Sequence, residues 1–199
     1  MRESEAHPHV PEERAELFTT PDANSSEDET HGLLEALVRS LKPEAVLETG
    51  SFLGWGTAAL ARGVRANGFG KVVSIEIDQA AAFLAKNRLG ELSLDGLVEI
   101  VVGDSVEWLR RYSGVPFGFS FLDSSFDARV RELETLAERG LAHGPVMIHD
   151  TSRLRTRSVP AETGTHAEFL RRLDELGIPA VENPLSRGWR LLAIPRRGR

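Results

Sequence analysis

Six residues able to hold or move a proton stand at or just beyond the ends of short apolar runs: Glu48, Glu76, Asp104, Asp123, His149 and Asp150. A short apolar run that stops at a polar group reads as a buried strand, and an open parallel sheet binds ligands beyond the carboxyl ends of its strands. One acid at such a place is ordinary, whereas this whole set points to a shared cleft. Glu48 also opens a glycine turn, Glu48-x-Gly50-x-x-x-Gly54, and residues lacking Cβ let backbone approach a ligand closely. Amides at the start of the following helix can then face a carboxylate or phosphate. A carboxylate placed like Glu76 can accept both hydroxyls of a ribose. An imidazole such as His149, titrating near neutrality, suits general-base work, with a hydrogen-bonded structural role as the alternative.

The elements that must position these residues alternate along the chain. Ser26-x-x-Glu29 has the form of a capping box ahead of an amphipathic helix carrying Leu34, Leu37, Val38 and Leu41, which ends before Pro43. Ala45 to Leu47 begins the first strand, and the glycine turn leads into a helix over Thr57 to Val64, with Leu60, Ala61 and Val64 on one face. Lys71 to Ile77 is the second strand, followed by a helix capped by Asp78 with Ala80, Phe83 and Leu84 on its inner face. Val98 to Val102 is the third, and Ser105 is expected to cap a short helix carrying Val106, Leu109 and Tyr112. Phe117 to Leu122 is the fourth, before a helix with Val130, Leu133, Leu136 and Ala137 that Gly140 stops. Val146 to Ile148 is the fifth, and Thr165-x-x-Glu168 is expected to cap a last helix bearing Phe169, Leu170, Leu173 and Leu176. Ala180 to Asn183 and Trp189 to Ile194 are then joined by too short a link for a helical crossover, so they pair antiparallel. The pattern predicts an α/β fold: a seven-stranded, mostly parallel sheet with an antiparallel C-terminal hairpin and helices on both faces.

The 199 residues, 41% of them hydrophobic, suit a single domain. The net charge of −6 is uneven: residues 1–30 hold nine acids against Arg2 and Arg14, a net −7. Residues 1–24 are therefore expected to be a flexible acidic arm and residues 25–199 the folded domain. The near-neutral remainder offers no broad basic face for nucleic acid, and Arg196, Arg197 and Arg199 read as a solvated end. No apolar run approaches the roughly 20 residues of a membrane span, and the opening residues lack the apolar centre of a secretory signal. With no cysteine there is neither a disulfide framework nor a thiolate site, and a cytoplasmic location is expected.

Acid, glycine turn and helix in this spacing resemble motif I of the class I S-adenosylmethionine (SAM) methyltransferases, and the strand pattern resembles their Rossmann-like architecture. The resemblance implies a SAM site around Glu48, Gly50, Phe52, Gly54 and Trp55, with Trp55 flanking the methionine end. It further puts Glu76 on the ribose, in a V-S-I-E-I-D run of the family's form, and Gly103, Asp104 and Ser105 along the adenine. The runs L-D-S-S-F-D-A-R-V-R-E-L-E and V-M-I-H-D-T resemble the metal-dependent O-methyltransferases, particularly the antibiotic-pathway sugar methyltransferases and the cephalosporin hydroxylase-like group, with catechol O-methyltransferase more distant. In those enzymes two acidic strand ends share a magnesium ion that also takes substrate oxygens. Asp123 and Asp150 match them, and Asp123 also borders the cofactor. A small-molecule acceptor methylated on a hydroxyl is thereby implied, and relatives often form homo-oligomers.

Two positions depart from that pattern. Phe126 stands where antibiotic-pathway relatives carry a histidine and catechol-type enzymes a lysine, and it cannot take a proton. His149 stands where an acid is expected before Asp150, which makes it a candidate base and a nitrogen ligand for the metal. Three readings stay open: a metal-assisted O-methyltransferase, a metal-free N- or O-methyltransferase, and a non-catalytic SAM- or nucleoside-binding protein. A nicotinamide-dependent oxidoreductase is disfavoured, because the turn lacks G-x-G-x-x-G spacing and the sheet ends antiparallel. Arg153, Arg155 and Arg157 suit either an anionic substrate or solvent.

Overall fold

The strands β1 (Ala45–Thr49), β2 (Lys71–Glu76), β3 (Val98–Val102), β4 (Phe119–Leu122), β5 (Val146–His149), β6 (Ala180–Asn183) and β7 (Trp189–Leu192) form one sheet in the order β3-β2-β1-β4-β5-β7-β6. The first five are parallel; β7 runs antiparallel to both β5 and β6. The computed structural model describes residues 18–22, 24–153, 163–184 and 187–194, and over these the expected α/β architecture is present.

Strand alternation divides the core into two layers. On one face Val46, Val72, Phe119, Phe121 and Met147 pack against α1 (Asp28–Leu41), α2 (Trp55–Asn67) and α3 (Gln79–Glu91). On the other, Leu47, Ile75, Leu122 and Ile148 pack against α4 (Ser105–Arg111), α5 (Phe126–Glu138) and α6 (Thr163–Glu175). α1 lies unusually close to α2 because Gly63 presents no side chain: a Cβ there would sit 2.7 Å from Val38 Cβ.

Several local expectations are corrected. α2 begins at Trp55 and continues to Asn67, β4 starts at Phe119 and β7 stops at Leu192. Phe117 makes only an isolated bridge to Ala142. α3 buries Ala81, Ala82, Ala85 and Leu89, leaving Phe83 and Leu84 exposed. A face of alanines lets the backbone approach its neighbours more closely than large side chains would. Asp78 does cap α3, accepting from the amides of Ala80 and Ala81. The capping box at Ser26 does not form, since Glu27 is the N-cap of α1 and Ser26 Oγ instead meets His31 Nε2 at 2.9 Å. Asp104, not Ser105, caps α4, and Thr165 lies inside α6.

Replacing Gly63 with valine should force α1 away from α2. The expected cost is about 2 kcal/mol, a melting temperature lower by roughly 4–8 °C. An unchanged thermal unfolding midpoint would show that the helices are not held by this approach.

Candidate functional site

Strand order reverses between β1 and β4, and a cavity of about 450 Å³ opens at their carboxyl ends. The loops leaving these two strands touch. A Cβ on Gly50, whose φ is 84°, would lie 2.5 Å from the backbone oxygen of Asp123, so only glycine allows both the conformation and the approach. Phe52 also has a positive φ of 44°, and its amide donates to Glu76 Oε2 at 2.8 Å. The amide of Asp78 donates to Glu76 Oε1 at 2.9 Å. The Glu76 carboxylate is thus aimed by two backbone donors while lining the cavity.

Glu48 is buried beneath the glycine turn, where Thr57 and Ser74 hydroxyls both donate to Oε2 at 2.5 Å. Its other oxygen occupies space left by Gly56, where a Cβ would sit 2.8 Å away. Burial outweighs the hydroxyl bonds and raises its pKa to about 7. Trp55 is clamped between Asp22, which accepts from its indole N–H at 3.2 Å, and Arg88, whose guanidinium lies 3.8 Å from the ring centroid. Glu48, Gly50, Phe52, Trp55, Glu76, Gly103, Asp104, Ser105 and Asp123 all line the cavity. Gly54 does not: it serves close packing, with Ala85 3.0 Å from where its Cβ would be.

Next to this cavity lies a buried cluster of charge. His149 is fully buried, its Nε2 2.9 Å from Glu27 Oε2 and its Nδ1 3.2 Å from Asp123 Oδ1. Burial alone would lower its pKa, but Asp123, Asp150 and Glu27 outweigh that and raise it to about 9. Both nitrogens then donate, and neither is open to a substrate proton. Arg129 donates to Asp123 Oδ1 at 2.8 Å and, from both terminal nitrogens, to Asp150 Oδ2 at 3.1 Å. Arg187 grips Asp150 from the other side, Nε to Oδ1 at 2.5 Å and a terminal nitrogen to Oδ2 at 2.9 Å. Asp150 itself has φ 61°, a left-handed conformation rare for a residue with a side chain.

Residues 47–151, more than half of the chain, match a family described as a methyltransferase domain. The chain belongs to this family. A probable O-methyltransferase of Mycobacterium tuberculosis is 29% identical over 136 residues, 64% of this chain and 57% of that protein. A catechol O-methyltransferase of the same organism is 33% identical over 107 residues, 52% of this chain and 48% of that one. The chain therefore matches about half the length of these curated relatives. The O-methyltransferase TomG of Streptomyces achromogenes, solved with SAM, shares the fold at a TM-score of 0.74 and 24% identity, covering 87% of this chain and 82% of its own.

Metal-dependent methyltransferases would place magnesium between Asp123 and Asp150. Ligand atoms of Asp123, His149 and Asp150 do lie within 4.8 Å of one another. The donors, however, are already occupied: both Asp150 oxygens accept from arginines, and Asp123 Oδ1 accepts from Arg129 and His149. A hard cation needs open oxygen donors, so this arrangement does not fit magnesium. His149 is correspondingly misplaced as a base, being absent from the cavity lining. Asp123 Oδ2 makes no hydrogen bond to the described residues and belongs to a side chain that lines the cavity.

Sequence reasoning did not single out Glu27, His31, Glu132 or Arg187, nor assign Arg129 a role. His31 is the one histidine among the described residues that lines the cavity, and burial lowers its pKa. Glu132 is completely buried and accepts from Thr49 at 2.8 Å, from Ser124 at 2.8 Å and from Ser105. It joins β1, the loop after β4 and the start of α4 beneath the cavity floor. Of the three arginines proposed for an anionic substrate, Arg153 pairs with Asp174 at 2.6 Å; Arg155 and Arg157 lie outside the described residues. So do residues 1–17 of the expected arm and the basic cluster Arg196, Arg197 and Arg199. No helix among the described residues is long and apolar enough to cross a membrane.

Glu132→Leu would strand the buried hydroxyls of Thr49 and Ser105 and the half-buried one of Ser124, and unfolding free energy should fall by about 2–4 kcal/mol. Glu132→Gln, which keeps an acceptor oxygen, should retain most of it. Equal losses in chemical denaturation would show that packing volume, not hydrogen bonding, is what Glu132 supplies.

Proposed function

We propose that this chain is a SAM-dependent O-methyltransferase acting on a hydroxyl of a small molecule. The observation that carries the reading is Glu76, aimed by the amides of Phe52 and Asp78 into a cavity at the switch point. Such a fixed carboxylate suits a ribose diol. Gly103, Asp104 and Ser105 then flank the adenine, and Glu48, Gly50 and Trp55 the methionine end. The O-methyltransferase and catechol O-methyltransferase names of the relatives support a hydroxyl acceptor.

SAM supplies an electrophilic methyl and a good leaving group, so the protein's task is positioning. The acceptor oxygen attacks the methyl carbon as the carbon–sulfur bond breaks, leaving the neutral thioether S-adenosylhomocysteine. The hydroxyl proton passes to Asp123 Oδ2, the carboxylate oxygen that has no hydrogen-bond partner among the described residues. No step requires a divalent ion, because the residues that would bind one are paired with arginines.

Calorimetric titration of S-adenosylhomocysteine should give micromolar affinity in the wild type and about 100-fold weaker binding in Glu76→Ala. Absence of binding by the wild type would defeat the reading; binding without turnover on any acceptor would leave a cofactor-binding protein. A second expectation concerns pH. Glu48 titrates at about 7 in the free protein, and pairing with the cofactor's ammonium group requires its ionised form. Below that pH a proton must leave on binding, so affinity should fall by up to tenfold per pH unit, and Glu48→Gln should flatten the slope. A wild-type affinity independent of pH between about 6 and 8 would show that Glu48 does not change protonation on binding.

A further inference from the structure

We propose that Arg129 and Arg187 form a built-in cationic centre in the place where metal-dependent O-methyltransferases would hold magnesium, so that this chain works without a divalent ion. The inference rests on the methyltransferase reading for its chemistry, but its evidence is the cluster itself. Three carboxylates, Glu27, Asp123 and Asp150, face the two guanidiniums and the His149 imidazole within hydrogen-bonding distance. Both Asp150 oxygens and Asp123 Oδ1 already accept from guanidiniums, and a dication could enter only by displacing one of them or by sitting beside two buried positive charges.

The arginines are held as structural parts. Beyond Asp150, the Arg187 guanidinium donates to the carbonyls of Ser25 at 3.0 Å and Asn24 at 3.3 Å, and its own amide donates to Glu27 Oε1 at 2.9 Å. Its side chain is only 8% exposed. Arg129 additionally donates to the His149 carbonyl at 2.8 Å and lies 5.2 Å from the Phe126 ring centroid and 5.9 Å from that of Phe169. Both departures from the metal-dependent pattern thereby find a common cause. Phe126, which stands where a base is expected, covers the Arg129 guanidinium with an aromatic face. His149, which replaces an acid, bridges Glu27 and Asp123 through its two ring nitrogens and removes a negative charge that a metal would need.

The arrangement also changes what acceptor is required. A metal site favours two neighbouring oxygens that chelate; here a single hydroxyl beside Asp123 suffices, because no chelate has to form.

The test uses the full chain, stripped with EDTA and desalted, titrated calorimetrically with MnCl2 as a magnesium surrogate, with and without saturating S-adenosylhomocysteine. The wild type should show no saturable binding at micromolar Mn²⁺, and MgCl2 should not raise its melting temperature. Arg187→Ala exposes the Asp150 carboxylate, and Mn²⁺ at a hundredfold excess over its Kd should raise this variant's melting temperature by roughly 5–10 °C. One equivalent of Mn²⁺ bound to the wild type at micromolar concentration would overturn the inference. So would an Arg187→Ala variant that folds yet gains no response to Mn²⁺. If that variant does not fold, the wild-type titration decides alone, with Arg187→Lys, which keeps the charge, expected to remain unresponsive. A wild type that binds neither S-adenosylhomocysteine nor Mn²⁺ would count against the proposed function while sustaining the cationic centre.

Discussion

Opposite charges buried together hold this molecule to one arrangement. Taking an ion out of water is unfavourable by several kcal/mol unless its partners are placed well, so each member of the cluster constrains the element that carries it. Glu27 caps α1, Asp123 follows β4, Arg129 lies on α5, His149 and Asp150 end β5, and Arg187 precedes β7. Elements from both sides of the sheet and from both ends of the described chain therefore converge on a few ångströms. The left-handed backbone at Asp150 belongs to the same constraint, since strain of that kind persists where surrounding contacts over-determine it.

The cofactor side of the cleft is built on a different principle. There the controlling features are backbone ones: a glycine that allows two loops to touch, and amides that aim Glu76. Beneath them Glu132 gathers three hydroxyls from three segments. Positioning comes from rigid hydrogen bonding on one side and from charge balance on the other, with Asp123 belonging to both.

The strands, their order of polarity and the residues at their ends were legible because they depend on local patterns: apolar runs, glycine spacing and the brevity of the last link. Helix caps were less so, since Ser26 and Ser105 have the right chemistry but find other partners, His31 and Glu132. The inner face of α3 was misread because hydrophobic size suggested Phe83 and Leu84, whereas close packing selected alanines. Arg129 did carry a signal, an arginine on the same helical face as Phe126, Val130 and Leu133. Glu27 and Arg187 carried none, because their contact spans 160 residues and no local pattern encodes a partner that distant.

That separation has a consequence for the chain during its synthesis. At ~5–20 residues per second, the 160 residues between Glu27 and Arg187 take about ten to thirty seconds to emerge. Late in that interval the nascent chain holds its acids and its glycine turn but still lacks the guanidinium that closes them together. A ligand met at that stage would find a half-built cleft, and only arrival of the last hairpin completes it. The polypeptide thus carries its own delay, and the cleft is closed in one late step, when Arg187 arrives, rather than gradually along the chain.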